Sequence, residues 1–148
     1  LYEAGTRIPF ILRWPAAVAP GKQQGLFSQI DVYASLAEIL EQPLAKGAAP
    51  DSKARPMALL GRDQADREYI VEQNLDNTLA IVSGNWKYLE PSDKPAIEFW
   101  TKMELGNNPK GELYNLESDP NETNNVIKDH PEIAQKLAAE LEKVKNQK

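Results

Sequence analysis

The chain contains no cysteine and one histidine, His130. Without cysteine, disulfides, thiolate zinc sites and cysteine nucleophiles are excluded together, while the compartment stays open, because cytosolic and secreted proteins alike can lack the residue. A single histidine means that a Ser-His-Asp triad has to use His130, and a multi-histidine metal site is excluded within one chain. No apolar run approaches the roughly 20 residues that a bilayer demands, so no membrane partner is expected. No basic stripe with interleaved aromatics is present, so no nucleic-acid partner is expected. Glycine (8) and proline (11) are too few for a collagenous or low-complexity chain, and no repeat period is visible. What remains is 148 residues, 41% hydrophobic and 26% charged, the profile of a soluble globular domain or a small domain with an appendage. The net charge of −5 is uneven. Residues 1–67 hold 8 Lys+Arg against 7 Asp+Glu, whereas residues 68–148 hold 9 against 15, and all five arginines lie in the first part. A polyanionic ligand is therefore expected to find no cationic groove in the second part.

The chain opens at Leu1 directly on a structured-looking run with no signal-peptide pattern, which reads as an internal start. Residues 8–14 (IPFILRW) read as a strand buried on both faces, confined by Pro9 to an edge or a strand start. Severed from a sheet, the stretch from Ile8 to Trp14 is expected to self-associate. Ser28 or Asp31 offers an N-cap for a helix in which Val32, Leu36, Ile39 and Leu40 recur at helical spacing until Pro43. Residues 46–67, with little periodicity and several prolines and glycines, read as a linker between two structural units, 1–45 and 68–148. The second unit alternates: 68–73, 78–83, 86–90 and 112–116 read as four strands, with Gly84-Asn85 as a hairpin turn. Pro131 opens a helix in which Ile133, Leu137, Leu141 and Val144 form one apolar stripe, with Glu132 and Lys136 paired on the wet side. The fold class expected is α+β: a four-stranded antiparallel sheet packed against a C-terminal helix and preceded by one strand and one helix. Trp86, Tyr88 and Tyr114 are expected in the core rather than on a stacking platform.

Several segments resemble a family, the sulfatases of the alkaline-phosphatase superfamily. The opening YEAGTRIPFILRWP at 2–15 is similar to the segment entering the last strand of that family's catalytic sheet, and DVYASLAEIL at 31–40 to its next helix. NWKYL at 85–89 and ELYNLESDPNETNN at 112–125 are similar to its C-terminal subdomain. No single motif is diagnostic, but the order is that of the family across nearly the whole chain. Where the family usually has proline and threonine, this chain has Ala34 and Ser35. The resemblance implies a parent enzyme that hydrolyses sulfate esters of a glycan or an aryl group. It also implies a calcium, a formylglycine made from Cys or Ser in a C/S-x-P-x-R pattern, and a periplasmic or secreted location. This chain has neither cysteine nor S-x-P-x-R, so it is read as a C-terminal sulfatase fragment, inactive by itself, with no catalytic residue, metal ligand or cofactor of its own and with the upstream catalytic domain as its partner. Phosphodiesterases and phosphonate monoester hydrolases share similar C-terminal regions, and a non-catalytic carbohydrate-binding or oligomerisation module is the alternative from another class.

The remaining candidates are weighed against plainer roles. Glu3 and Arg7 are read as an ion pair fixing a turn, ahead of a role at the parent's active-site floor. Ser118 to Glu122 is dense in oxygens, but it lacks the glycine and acidic spacing of a calcium loop and reads as a turn. Asn121-Glu122-Thr123 fits the N-glycosylation pattern and says only that the site is exposed. His130 reads as a residue leading into the last helix rather than a general acid or base. The stretch 91–111 is too long for a plain connection. In the family this subdomain lies beside the cleft mouth, which makes Gln73, Asn74, Trp100, Lys102 and Asn107 candidates for contact with the substrate. The plainer reading has Phe99 and Trp100 pinning the loop to the sheet.

Overall fold

The computed structural model describes residues 1–23, 25–62 and 67–147. Its elements are α1 (Glu3–Thr6), α2 (Asp31–Ile39), α3 (Pro56–Leu59), β1 (Ile70–Gln73), β2 (Leu79–Ser83), β3 (Trp86–Leu89), β4 (Glu112–Asn115) and α4 (Pro131–Lys145). They gather into two compact units, Leu1–Pro9 with Tyr69–Lys148, and Phe10–Glu68.

The first unit is the expected antiparallel sheet, in the order β1-β2-β3-β4, each strand beginning and ending within two residues of its expected limits. Gly84, at φ 54, takes the positive-φ slot of the two-residue turn between β2 and β3, a conformation that costs glycine little. Because side chains alternate, Ile81, Tyr88 and Leu113 share one face, and α4 covers it with Ala134, Leu137 and Leu141. Pro131 opens α4, as the missing N–H permits at a first turn. Leu137 and Leu141 of the expected stripe are buried, with Ala134 joining them, while Ile133 and Val144 are only half-buried. Glu132 faces His130, with Nδ1 3.7 Å from Oε1, instead of Lys136.

The opposite face is apolar too, with Ala80, Leu89 and Tyr114, and it is covered by Leu1 and Tyr2, the latter set edge-on to Tyr114 at 6.2 Å. Thus the first residues of the chain and its last helix enclose the sheet from two sides. Trp86 is half-buried and meets His130 at 5.1 Å between ring centres, whereas Tyr88 and Tyr114 are buried as expected.

Outside the sheet, the structure departs from expectation in two ways. Residues 8–14 form no strand. A single strand has no ladder to join, and Ile8 (61%), Phe10 (55%) and Ile11 (89%) stand open to solvent. Helix α2 is present with its apolar stripe split, Val32 and Ile39 half-buried and Leu36 and Leu40 exposed, while Asp31, Ala34 and Ser35 are the buried residues. Polar bonds explain the orientation. The buried Asp31 carboxylate lies 3.3 Å from Arg67 and accepts the Lys53 amide. Ser35 Oγ donates to the Asp31 carbonyl and accepts the Arg55 amide. Asp31 is therefore not the N-cap expected; that position is held by Ile30, without a side-chain cap bond. Among the described residues no helix is long and apolar enough to cross a membrane.

Candidate functional site

The stretch 91–111 is built rather than loose. The bridge Ile97↔Glu104 and the bonds Glu98 N–H to Met103 O and Leu105 N–H to Ala96 O fold residues 96–105 into a small hairpin. At its tip, one Glu98 carboxylate oxygen accepts both the Thr101 amide and the Thr101 hydroxyl, and these bonds hold Glu98 below the ordinary carboxylate range. Lys102 sits at φ 60, a region a lysine seldom adopts. The tip presents Phe99 (70% exposed) and Trp100 (83% exposed), their rings edge to face at 4.9 Å, with Lys102 Nζ 4.7 Å from the Phe99 centroid. Neither aromatic is pinned to the sheet, contrary to the plainer expectation. The loop is anchored elsewhere.

The anchor uses two of the expected site residues. Asn74 Nδ2 donates to the Leu105 carbonyl (2.9 Å) and to Asn107 Oδ1 (3.0 Å), while Asn74 Oδ1 accepts the amides of Asp76 and Thr78. Buried Asn107 in turn donates to Asp76 Oδ2 and the Pro95 carbonyl. Both amides thus spend their hydrogen-bonding capacity inside the protein. Gln73 is exposed and donates to Asn77 Oδ1. Of the five candidates, the structure brings Asn74 and Asn107 together as a tie, and sets Trp100 and Lys102 outward on the hairpin.

A second cluster was not foreseen. Lys87, on β3, is fully buried, with its ammonium 3.0 Å from Glu3, 3.0 Å from Glu72 and 3.2 Å from Glu122. Glu3 thus pairs with Lys87 rather than with Arg7. The Glu122 carboxylate also accepts the Glu3 amide, and Tyr2 donates to Glu112 at 2.9 Å. Burial would lower the Lys87 pKa, but Glu72, Glu122 and Glu3 outweigh it and hold the ammonium above the ordinary lysine range. Burial raises Glu122 despite its bonds to Glu3 and Lys87. Lys87, between Trp86 and Tyr88, reads in sequence as a solvent-facing strand position. The signal that it lies inside is in β2 and β3, where Ala80, Val82 and Leu89 are apolar in the opposite parity to Ile81 and Tyr88, so both faces of the sheet need cover.

Among the described residues, no group of three or more His, Cys, Asp or Glu side chains is arranged to hold a metal ion. The carboxylate trio is filled by Lys87, and the oxygen-rich turn after β4 is self-contained: Asp119 accepts the Asn124 and Thr123 amides and the Thr123 hydroxyl, which hold it below its ordinary value. With no cysteine or S-x-P-x-R either, the residues present do not fit a calcium and formylglycine centre.

No family model matches the chain. It is 65% identical over 144 residues to an N-acetylgalactosamine-6-O-sulfatase of Bacteroides thetaiotaomicron, covering 97% of this chain and 28% of that protein. Arylsulfatase A of Homo sapiens is 26% identical over 140 residues, covering 85% of this chain and 27% of the relative. A solved structure concerned with metabolism of multiple glycosaminoglycans by Bacteroides thetaiotaomicron superposes with a TM-score of 0.94 at 64% identity, over 97% of this chain and 30% of that one. Another, in complex with its substrate D-glucosamine-2-N,6-O-disulfate, has the same fold, with a TM-score of 0.62 at 15% identity over 91% of this chain and 27% of that one. The chain spans little more than a quarter of the curated relatives it matches.

Proposed function

Because this chain is a partial homologue of the sulfatases, similar to their C-terminal region, we propose that its parent protein hydrolyses the 6-sulfate ester of an N-acetylgalactosamine residue in a glycosaminoglycan. The observation that carries the reading is the 65% identity over 144 residues to a protein of that activity. In the parent, residues 1–45 then continue the catalytic domain and 46–67, α3 included, lead from it to the C-terminal subdomain of 68–148, whose sheet unit residues 1–9 also join. Nucleophile, metal and sulfate-binding charges come from outside this chain, which contributes a wall of the cleft. The open apolar residues Ile8, Phe10 and Ile11 then face the rest of the parent, and in its absence they pair with a second copy.

Within that wall, we read Trp100 and Lys102 as the groups that meet a sugar, since both stand outward on the hairpin: an indole face suits a pyranose ring, and an ammonium suits an anionic substituent. Asn74 and Asn107 hold the hairpin's base, and Gln73 lies beside them. The test is sulfate release by the full-length protein from 6-O-sulfated N-acetylgalactosamine, from a small aryl sulfate and, as a counter-substrate, from a phosphodiester. Turnover of the sulfated sugar is expected. Turnover of the phosphodiester alone, or sulfate release by the 148-residue chain by itself, rejects the reading. In the full-length protein, Trp100→Ala is expected to raise KM for the glycan several-fold more than for the aryl sulfate; equal effects would leave Trp100 a structural residue.

A further inference from the structure

Leu1 and Tyr2 pack on the sheet face that α4 leaves open, and charge fastens Glu3 beside them. One ammonium among three carboxylates leaves two surplus negative charges where water screens little. The side chains of Lys87 and Glu122 are 0% and 2% exposed, and those of Glu3 and Glu72 are each 15% exposed. A proton kept on Glu122, whose carboxyl burial holds above the ordinary glutamate range, relieves this crowding. The elements contribute distinct parts: Glu72 comes from β1, Lys87 from β3, Glu122 from the turn after β4 and Glu3 from α1. Only Glu3 belongs to the segment that is held.

From this arrangement we infer that the Lys87 cluster is a proton-loaded clasp. It holds Leu1–Glu3 against the sheet while Glu122 keeps a proton, and loosens that segment when the proton leaves. The other titratable groups on this face are Tyr2, Tyr114, Glu112, Glu104 and the α-amine of Leu1. Both tyrosines are pushed up, by burial first and then by Glu112, so they stay neutral throughout the relevant range. The α-amine is lowered by burial and by Lys87, which would tilt the response the other way, so it is removed by acetylation in the test. The sign follows from the raised carboxylate. Docking is strongest at and below glutamate's ordinary value of 4.5, and weakens as pH climbs from there through the higher value of the docked state.

Amide hydrogen exchange on the full acetylated chain reads this directly, because protection at Glu3, whose amide bonds Glu122, and at Arg7, whose amide bonds the Glu3 carbonyl at 2.9 Å, reports docking. Ile81 and Leu113, at the core of the sheet, serve as the internal reference. Protection at Glu3 and Arg7 is expected to fall about tenfold per pH unit above 4.5 until the proton is gone, while Ile81 and Leu113 hold constant. Glu72→Gln keeps a carbonyl oxygen toward Lys87 and removes one surplus charge, so it is expected to flatten the curve with the segment docked. Glu3→Gln provides the same test should that variant fold poorly. A flat wild-type curve, loss in parallel at Ile81, or neutralised variants as steep as wild type would each overturn the clasp.

Discussion

At the scale of single residues, Lys87 makes the sharpest demand. Replacing it with methionine keeps the length of the stem but leaves three buried carboxylates without a cation. Removing one partner of a buried ion pair costs about 3–5 kcal/mol. Lys87→Met is therefore expected to lower the denaturant midpoint strongly, and chemical denaturation beside the unsubstituted chain checks it. Gly111 makes a different demand. At φ 69 a Cβ there would stand 2.9 Å from the Leu89 carbonyl oxygen and 3.3 Å from Pro91 Cδ. Gly111→Ala is expected to cost about 1–3 kcal/mol in the same measurement, because strain and backbone contact act together. These two positions also mark the limit of what sequence shows. A glycine after Asn-Asn-Pro-Lys is legible as a turn residue, but the backbone it crowds is not. Lys87 has the look of a surface lysine, and its partners Glu3 and Glu122 stand 119 residues apart.

Elements were legible where each makes its own pattern. The four strands alternate and the last helix repeats its leucines, so sheet and helix follow from local chemistry. Leu141 on α4, 1% exposed, packs among Ile81, Tyr88 and Leu113, and Leu141→Ala is expected to cost about 2–5 kcal/mol, seen as a lower thermal midpoint. Exposed Leu36→Ala on α2 is expected to change little in the isolated chain, the reverse of what its helical stripe suggests. Periodicity tells which residues share a side of a helix, not which side is covered. For α2 the buried side is set by Asp31 meeting Arg67, a pair 36 positions apart that no window of sequence contains. The strand expected at residues 8–14 fails for a related reason: an apolar run needs a neighbouring strand, and this stretch has none among the described residues. The hairpin at 96–105 was legible only as length, since Glu98 and Thr101 make its turn through bonds that leave little compositional mark.

For the molecule as a whole, the sheet unit is discontinuous, with residues 1–9 completing what residues 69–148 begin. Deleting residues 1–9 uncovers Ala80, Leu89 and Tyr114 along with Lys87, so the shortened chain is expected to lose stability and to gain binding of an apolar dye. The two layers around the sheet differ in kind. Helix α4 follows its strands closely in sequence, whereas the opposite cover comes from the far end. During synthesis at about 5–20 residues per second, Glu3 leaves the ribosome on the order of 10 s before Glu122 exists to accept its amide. Until then the segment bearing Leu1 and Tyr2 has no finished sheet to cover, and a chaperone that shields those two side chains would serve it best in that interval.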